Sequence, residues 1–210
     1  MTTLTDTVWI EAPSTYVRAL SDLLNESALR HKHLCPRQVL GARLGLLGVQ
    51  LLGIDLPNTD KRLLVIIETD GCFADGVSVA TDCTIGARTL RVIDHGKIAA
   101  TFVDTYTHQA VRITPRPESR TLAQHYAPQA QSRWHAQLEA YQVMPDDELF
   151  SVQPVELTMS LEKLLSKPGR KAKCDACGEE IINEREVIQE GRTLCRACAG
   201  DSYWQDAARA

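Results

Sequence analysis

The sequence predicts an α+β fold in which helices surround a small, mainly antiparallel sheet, followed by a small four-cysteine module of zinc-ribbon or treble-clef type. Two observations predict this class. Short apolar, strand-like runs and segments of helical period follow one another without the regular strand–helix alternation of a doubly wound fold. Two Cys-x2-Cys pairs stand near the end of the chain. At 44% hydrophobic and 24% charged residues, the composition is that of a globular protein.

Residues 166–173 (SKPGRKAK) mark the clearest change in composition. They contain a Pro-Gly breaker and four basic residues, and they lack large apolar side chains. We therefore predict a core domain at 1–165, a basic linker at 166–173 and a zinc-binding module at 174–210. The module is too short to fold on an apolar core alone.

The first two predicted helices carry the N-terminal part of the core. One begins near Pro13 and follows helical spacing to residue 28. The second runs from Pro36 to about residue 52, with Gly41, Gly45 and Gly48 on one side. Each glycine costs about 1 kcal/mol relative to alanine in a helix, which predicts a compensating close backbone contact.

The remaining core elements are short. Strands are predicted at 63–68, 89–93, 97–104, 110–114 and 149–157, and helices at 74–81, 119–126, 131–143 and 160–165. The run at 63–68 (LLVIIE) is apolar enough for a buried strand. The turn Asp94-His95-Gly96 separates the second and third strands, so we predict that these two form a hairpin.

Four cysteines give the strongest chemical signal: Cys174, Cys177, Cys195 and Cys198. Each Cys-x2-Cys turn brings two sulfurs to one ion, and four thiolates satisfy the tetrahedral preference of Zn²⁺. A catalytic zinc needs an open position, so this zinc is predicted to be structural. Five apolar residues are expected to form a small core over a hairpin: Ile181, Ile182, Val187, Ile188 and Leu194. The segment resembles the four-cysteine zinc fingers of the DksA/TraR type.

A second cluster precedes the helix at 36–52. His31, His33 and Cys35 occupy alternate positions and share one side if the segment is extended. Asp70, Cys72 and Asp75 follow the buried strand. Together they suit a transition metal with an open position, with Cys35, Cys72 and either His31 or His33 as ligands and Asp75 or Asp70 as the acceptor that orients a ligand. The alternative is that the cysteines are small buried apolar residues and the histidines surface residues.

Three segments carry a family resemblance: HKHLCPRQVLGARLGLLG, ETDGCFADGVSVATDCTIGARTLRVIDHGKIAATFVDT and AVRITPRP. They are similar to the FmdE family, which takes its name from a component of formylmethanofuran dehydrogenase. The family pattern reads roughly H-G-H-x-C-P-G, with a later D-x-C-x-x-D-G. Lys32 and Arg37 stand where the family commonly has glycine, and they add charge and bulk at the mouth of the site.

The resemblance implies an α+β core with a zinc-binding tail, a homodimer, and a metal-binding role accessory or related to a molybdenum or tungsten formylmethanofuran dehydrogenase. The FmdE component is not the recognised catalytic part of that enzyme, so the question of an enzymatic activity stays open. The alternative is a non-catalytic adaptor whose zinc module docks a protein partner.

Charge and hydropathy exclude several other classes. The net charge is −4, and acidic side chains outnumber basic ones from Cys174 onward, which argues against nucleic-acid binding. The longest apolar run is interrupted by charges, so no membrane span is predicted. The first ten residues do not have the pattern of a secretory signal, and we expect a cytoplasmic protein.

Overall fold

The computed structural model describes residues 18–165 and 169–207, and the chain divides into two compact units between Glu156 and Leu157. The first unit contains α1 (Leu20–His31), α2 (Pro36–Leu52), β1 (Leu63–Ile67), α3 (Cys72–Thr81), β2 (Leu90–Val92), β3 (Ala100–Asp104), β4 (Ala110–Pro115), α4 (Ser119–Tyr126), α5 (Arg133–Val143), α6 (Asp146–Leu149) and β5 (Phe150–Pro154). The predicted start of the first helix at Pro13 lies outside the described residues.

The first unit has a five-stranded sheet in the order β2-β1-β3-β4-β5. Within this sheet β1 and β2 pair in parallel, and the other neighbours are antiparallel. The predicted α+β class is therefore confirmed. The predicted hairpin of residues 89–93 with 97–104 is wrong, because β2 and β3 lie on opposite edges of β1. All five residues of β1 are buried, which indicates that both faces of the sheet are covered at this strand.

Helices α2 and α3 approach so closely that glycine is required between them. A Cβ atom on Gly41 would lie 2.3 Å from the carbonyl oxygen of Phe73, and one on Gly45 would lie 2.8 Å from the Cβ of Ala80. This is the close backbone contact that the glycine pattern predicts. Since the contacts advance along both helices together, α2 and α3 run parallel and their N-termini meet at one end.

The second unit contains α7 (Leu161–Leu165), β6 (Lys171–Lys173), β7 (Glu180–Ile182), β8 (Val187–Gln189) and β9 (Arg192–Leu194). Strands β6 and β7 form one antiparallel pair, and β8 and β9 form another. The end of the segment predicted as a linker is thus a strand of the module.

The small core of the module contains fewer of the predicted apolar residues than expected. Cys174, Ile181 and Leu194 are buried, whereas Ile182 and Ile188 are 50% and 67% exposed. In strands this short, alternate side chains point to opposite faces, and only one face is covered.

No helix in the described part of the chain is long and apolar enough to cross a membrane.

Candidate metal centres and the adjoining cavity

The four tail cysteines form one cluster. Their Sγ atoms all lie within 4.8 Å of one another, and the Sγ atoms of Cys177 and Cys195 are 3.9 Å apart. A tetrahedral zinc with bonds of about 2.3 Å separates its sulfur ligands by roughly 3.8 Å. The arrangement therefore fits a four-thiolate zinc, and it closes the coordination shell.

Two features of the tail fold hold the sulfurs in place. Gly178 follows the first pair with φ 78°, a left-handed conformation that glycine adopts without strain. The backbone N–H of Cys195 donates to the Sγ of Cys174 over 3.2 Å.

The four sulfurs differ in acidity. Backbone N–H groups of Cys177 and Cys195 lower the pKa of Cys174 to about 6, whereas crowding against the thiols of Cys195 and Cys177 raises the pKa of Cys198 to about 12. Such crowded sulfurs suit a divalent cation between them.

The core cluster is a line of three side chains from two helices. The Sγ of Cys72 lies 3.0 Å from Nε2 of His31, and Nδ1 of the same ring lies 2.8 Å from Oδ2 of Asp75. His31 ends α1, while Cys72 and Asp75 belong to the first turn of α3. The carboxylate orients the ring so that Nε2 faces the sulfur.

Cys35 directly precedes α2 and lies next to this cluster. The Cys35 and Cys72 side chains line one cavity, and, after burial, the Cys35 thiol contributes to raising the pKa of Cys72. The Oε1 of Gln38 accepts from the Cys35 N–H over 2.8 Å, and its Nε2 donates to the carbonyl oxygen of Ser27 over 3.0 Å. Gln38 is completely buried, so it ties the Cys35 loop to α1.

The other two predicted site residues lie at the rim. His33 is exposed, with its ring centroid 4.8 Å from that of His31. Asp70 is also exposed, and among the described residues no hydrogen bond joins it to the cluster. The structure thus brings together His31, Cys35, Cys72 and Asp75, but leaves His33 and Asp70 at the edge.

The core cluster is less compact than the tail cluster. In the described chain, only the tail cysteines form a group of three or more ligand atoms all within 4.8 Å of one another. A tetrahedral metal would hold the His31 nitrogen and the Cys72 sulfur roughly 3.6 Å apart, somewhat farther than the observed 3.0 Å. Burial, and after it the neighbouring Cys35 thiol, raise the pKa of Cys72.

Lys32, which separates the two histidines, has φ 67°. This left-handed conformation is one that glycine adopts without strain. It gives a physical reason for the glycine that the family pattern has at this position.

A cavity of about 440 Å³ adjoins the core cluster. Cys35 and Cys72 line it together with Arg37, Arg120 and Trp134. Chemically, the site offers two soft sulfur donors and an imidazole beside a space large enough for a small molecule.

Two residues of this cavity, Arg120 and Trp134, are not indicated by the sequence pattern, which favours a packing role for Trp134. The indole of Trp134 is instead 45% exposed. The helical pattern around residues 119–143 gives no signal that α4 and α5 face the cysteines, because that proximity is a property of the tertiary fold.

Comparisons with known proteins agree with this architecture. The family model described as "FmdE, Molybdenum formylmethanofuran dehydrogenase operon" matches residues 30–151. The model of the prokaryotic dksA/traR C4-type zinc finger matches residues 167–203.

One curated relative is a probable S-adenosyl-L-methionine-binding protein of Archaeoglobus fulgidus, 27% identical over 210 residues and 88% of this chain. The chain spans 54% of that relative's length. A solved structure, that of a tungsten formylmethanofuran dehydrogenase FmdE-like protein from Syntrophus aciditrophicus, aligns with a TM-score of 0.57 and 20% identity, covering 90% of this chain and 96% of the other. The likeness to that structure establishes the fold.

Proposed function

The chain belongs to the FmdE family, and we propose that its core domain binds a transition-metal ion through Cys35, Cys72 and His31. The observation that carries the proposal is that His31 contacts the Cys72 thiol, and that Cys35 and Cys72 line one cavity, where α2 and α3 begin. Thiolate and imidazole ligands suit zinc and neighbouring transition metals. The N-termini of two helices also favour the negative charge of the thiolates.

Each residue has a distinct part in the proposed site. Cys35 and Cys72 bind through Sγ, and His31 binds through Nε2. Asp75 accepts a hydrogen bond from Nδ1 and thereby holds the ring in the binding orientation. The fourth position faces the cavity and takes either an exogenous ligand or His33. Asp70 serves as an acceptor at the rim.

We propose that this metal-binding protein acts beside a molybdenum or tungsten formylmethanofuran dehydrogenase. The family description, which names that operon, supports this role, as does the name of the Syntrophus protein. The cavity beside the cysteines gives the metal access to a small molecule.

Metal analysis of the full chain tests the core site. We expect two equivalents of metal per chain, one in the tail and one in the core. The double variant Cys35→Ser/Cys72→Ser should retain one equivalent. In the cobalt-substituted protein, it should lose the sulfur-to-cobalt charge-transfer absorption of the core and keep that of the tail.

Cys83→Ser is the matched control. Cys83 is buried, and its sulfur accepts a hydrogen bond from Asn58, so its substitution should leave two equivalents. A wild-type protein with one equivalent, or a double variant with two, would contradict the core site.

A second candidate role is that of an adaptor whose zinc module docks a protein partner. The module exposes apolar side chains, with Ile188 67% exposed, Tyr203 98% and Trp204 60%. Large contiguous apolar patches mark docking surfaces, and we propose that these side chains belong to one. If the adaptor role is right, Ile188→Ser/Trp204→Ser should abolish co-purification of a partner from the native organism while the protein keeps its tail zinc.

We also propose that the chain forms a homodimer, and light scattering coupled to gel filtration tests this. A monomer mass for the wild-type protein would contradict it.

A further inference from the structure

Three arginines of the first unit differ from all its other described arginines. The side chains of Arg37, Arg120 and Arg133 form no hydrogen bond or ion pair with another described residue. The remaining arginines between residues 18 and 156 all have partners in the described chain. Arg43 and Arg112, for example, pair with carboxylates.

The same three arginines line two adjoining cavities. Arg37 and Arg120 line the cavity of about 440 Å³ beside the cysteines. Arg120 and Arg133 line a second cavity of about 640 Å³ between α4 and α5. Arg120 and Gln137 belong to both linings, so the two cavities adjoin at these side chains, and we call the two cavities together the arginine groove.

The arginine groove is built for negative charge. In the described chain, neither lining contains a carboxylate, and the other polar side chains of the second cavity are Thr121, Gln124 and Gln137. A guanidinium group binds carboxylate or phosphate through paired hydrogen bonds. Three such groups without hydrogen-bond partners among the described residues, in a groove without acidic side chains, leave their hydrogen-bonding capacity to a ligand.

We propose that the arginine groove binds an organic molecule carrying two or more negative charges, as phosphate or carboxylate groups, and directs one end of it to Cys35 and Cys72. The two cavities lie within the 300–1,000 Å³ that is usual for small-molecule sites. Trp134 and Tyr141 line the inner cavity and offer aromatic surface to the uncharged part of the ligand. The proposal extends the proposed function, because it names the ligand class of the core site.

Arg37 distinguishes this chain from family members that have glycine at the same position. It stands where the family pattern commonly has glycine, at the inner end of the arginine groove. A chain with glycine there has one fewer cation beside the cysteines.

Calorimetric titration of the full chain at fixed ionic strength tests the proposal. The probes are inorganic pyrophosphate, citrate and, as a monoanion, acetate. We expect pyrophosphate or citrate to bind at least about tenfold more tightly than acetate, because each additional charge-assisted hydrogen bond contributes to affinity. Tighter binding of pyrophosphate identifies a phosphorylated ligand, and tighter binding of citrate a polycarboxylate. Equal affinity for all three probes would overturn the proposal.

Arginine variants locate the binding. Arg120→Gln should weaken the tighter anion about tenfold, and Arg37→Gln and Arg133→Gln should also weaken it. Arg30→Gln is the control, since Arg30 is exposed and pairs with Glu26 away from the groove lining, and it changes the net charge equally. An equal loss of affinity in Arg30→Gln would show a general charge effect and contradict the site.

Titration of Cys35→Ser/Cys72→Ser separates the two proposals. Anion binding that persists in this variant supports the arginine groove without the core metal, and anion binding by a wild-type chain that holds only the tail metal counts against the metal site only. Failure of anion binding in a protein that holds two metal equivalents overturns the arginine groove and leaves the metal site standing.

Discussion

The contact between α2 and α3 yields a prediction that depends on one missing methyl group. In Gly41→Ala, the new Cβ would lie 2.3 Å from the carbonyl oxygen of Phe73, 2.9 Å from the backbone nitrogen of Val77 and 3.2 Å from the Cα of Gly76. All three neighbours are backbone atoms, so no side-chain rotation relieves the overlap, and the helices must move apart.

The expected cost follows from two opposing contributions. Replacing glycine by alanine inside a helix gains about 1 kcal/mol. Inserting a methyl group into a close-packed contact costs typically about 1–3 kcal/mol and occasionally more. Because the overlap here is with rigid backbone, we take about 3 kcal/mol for the cost, which leaves a net loss of about 2 kcal/mol in the free energy of unfolding.

Urea denaturation followed by far-ultraviolet circular dichroism measures this loss. Gly86→Ala is the matched control, because a Cβ at Gly86 would meet nothing within 4 Å and its φ is not positive. The control should be as stable as the wild type or slightly more stable. A Gly41→Ala protein that is as stable as Gly86→Ala would refute the close contact. The contact also positions Cys35 and Cys72, so Gly41→Ala should weaken metal binding in the core.

Three further predictions test other parts of the molecule. Asp104 is 1% exposed; burial alone raises its pKa, but hydrogen bonds from Arg62, Tyr106 and Thr107 outweigh burial and lower the pKa to about 2. Asp104→Asn should therefore lower the free energy of unfolding by about 2 kcal/mol at pH 7. The difference from wild type should shrink as the pH falls from about 4 to 2, because the wild-type carboxylate becomes protonated. Urea titrations across that range measure the difference, and a difference that does not change with pH would contradict the reasoning. Lys32→Gly should raise the unfolding free energy by about 0.5–1 kcal/mol, because glycine relieves the left-handed backbone, and an unchanged urea midpoint would contradict this. A zinc chelator should remove hydrogen-exchange protection from β6 to β9 while the sheet of the first unit keeps its protection, and protected tail amides in metal-free protein would count against a structural zinc.

Short sequence patterns correctly predicted α2 and the tail cluster, because both depend on residues that are close together in the chain. The proline at position 36 and the apolar run after it predicted α2 with the bounds observed, and the two Cys-x2-Cys turns predicted the tail cluster. The hairpin at 89–104 failed because strand pairing is decided by the whole sheet. β1 is apolar throughout, so it takes an interior place in the sheet, with β2 on one edge and β3 on the other.

The core cluster was predictable as a set of residue types, but its geometry was not. Spacing and family resemblance brought His31, Cys35 and Cys72 into one hypothesis, and the structure adds the contact of the Cys72 thiol with His31 and the cavity that both cysteines line. No periodicity indicates that Arg120, on α4, lines the same cavity as Arg37, on α2. That relation depends on how the helices pack over the sheet.

The two proposals together impose an electrostatic constraint. Two thiolates beside a multiply charged anion repel one another and the anion, and the repulsion is strong where water is partly excluded. The N-termini of α2 and α3 and the guanidinium groups of Arg37 and Arg120 offset only part of this charge. A divalent cation between Cys35 and Cys72 supplies the rest, so metal and anion should each strengthen the binding of the other. Because such coupling is reciprocal, citrate should raise the affinity for metal by the factor by which metal raises the affinity for citrate, about tenfold for typical couplings. Competition of the two ligands, measured as a weaker citrate affinity in the metal-loaded chain, would mean that the arginine groove and the metal occupy the cavity as alternatives.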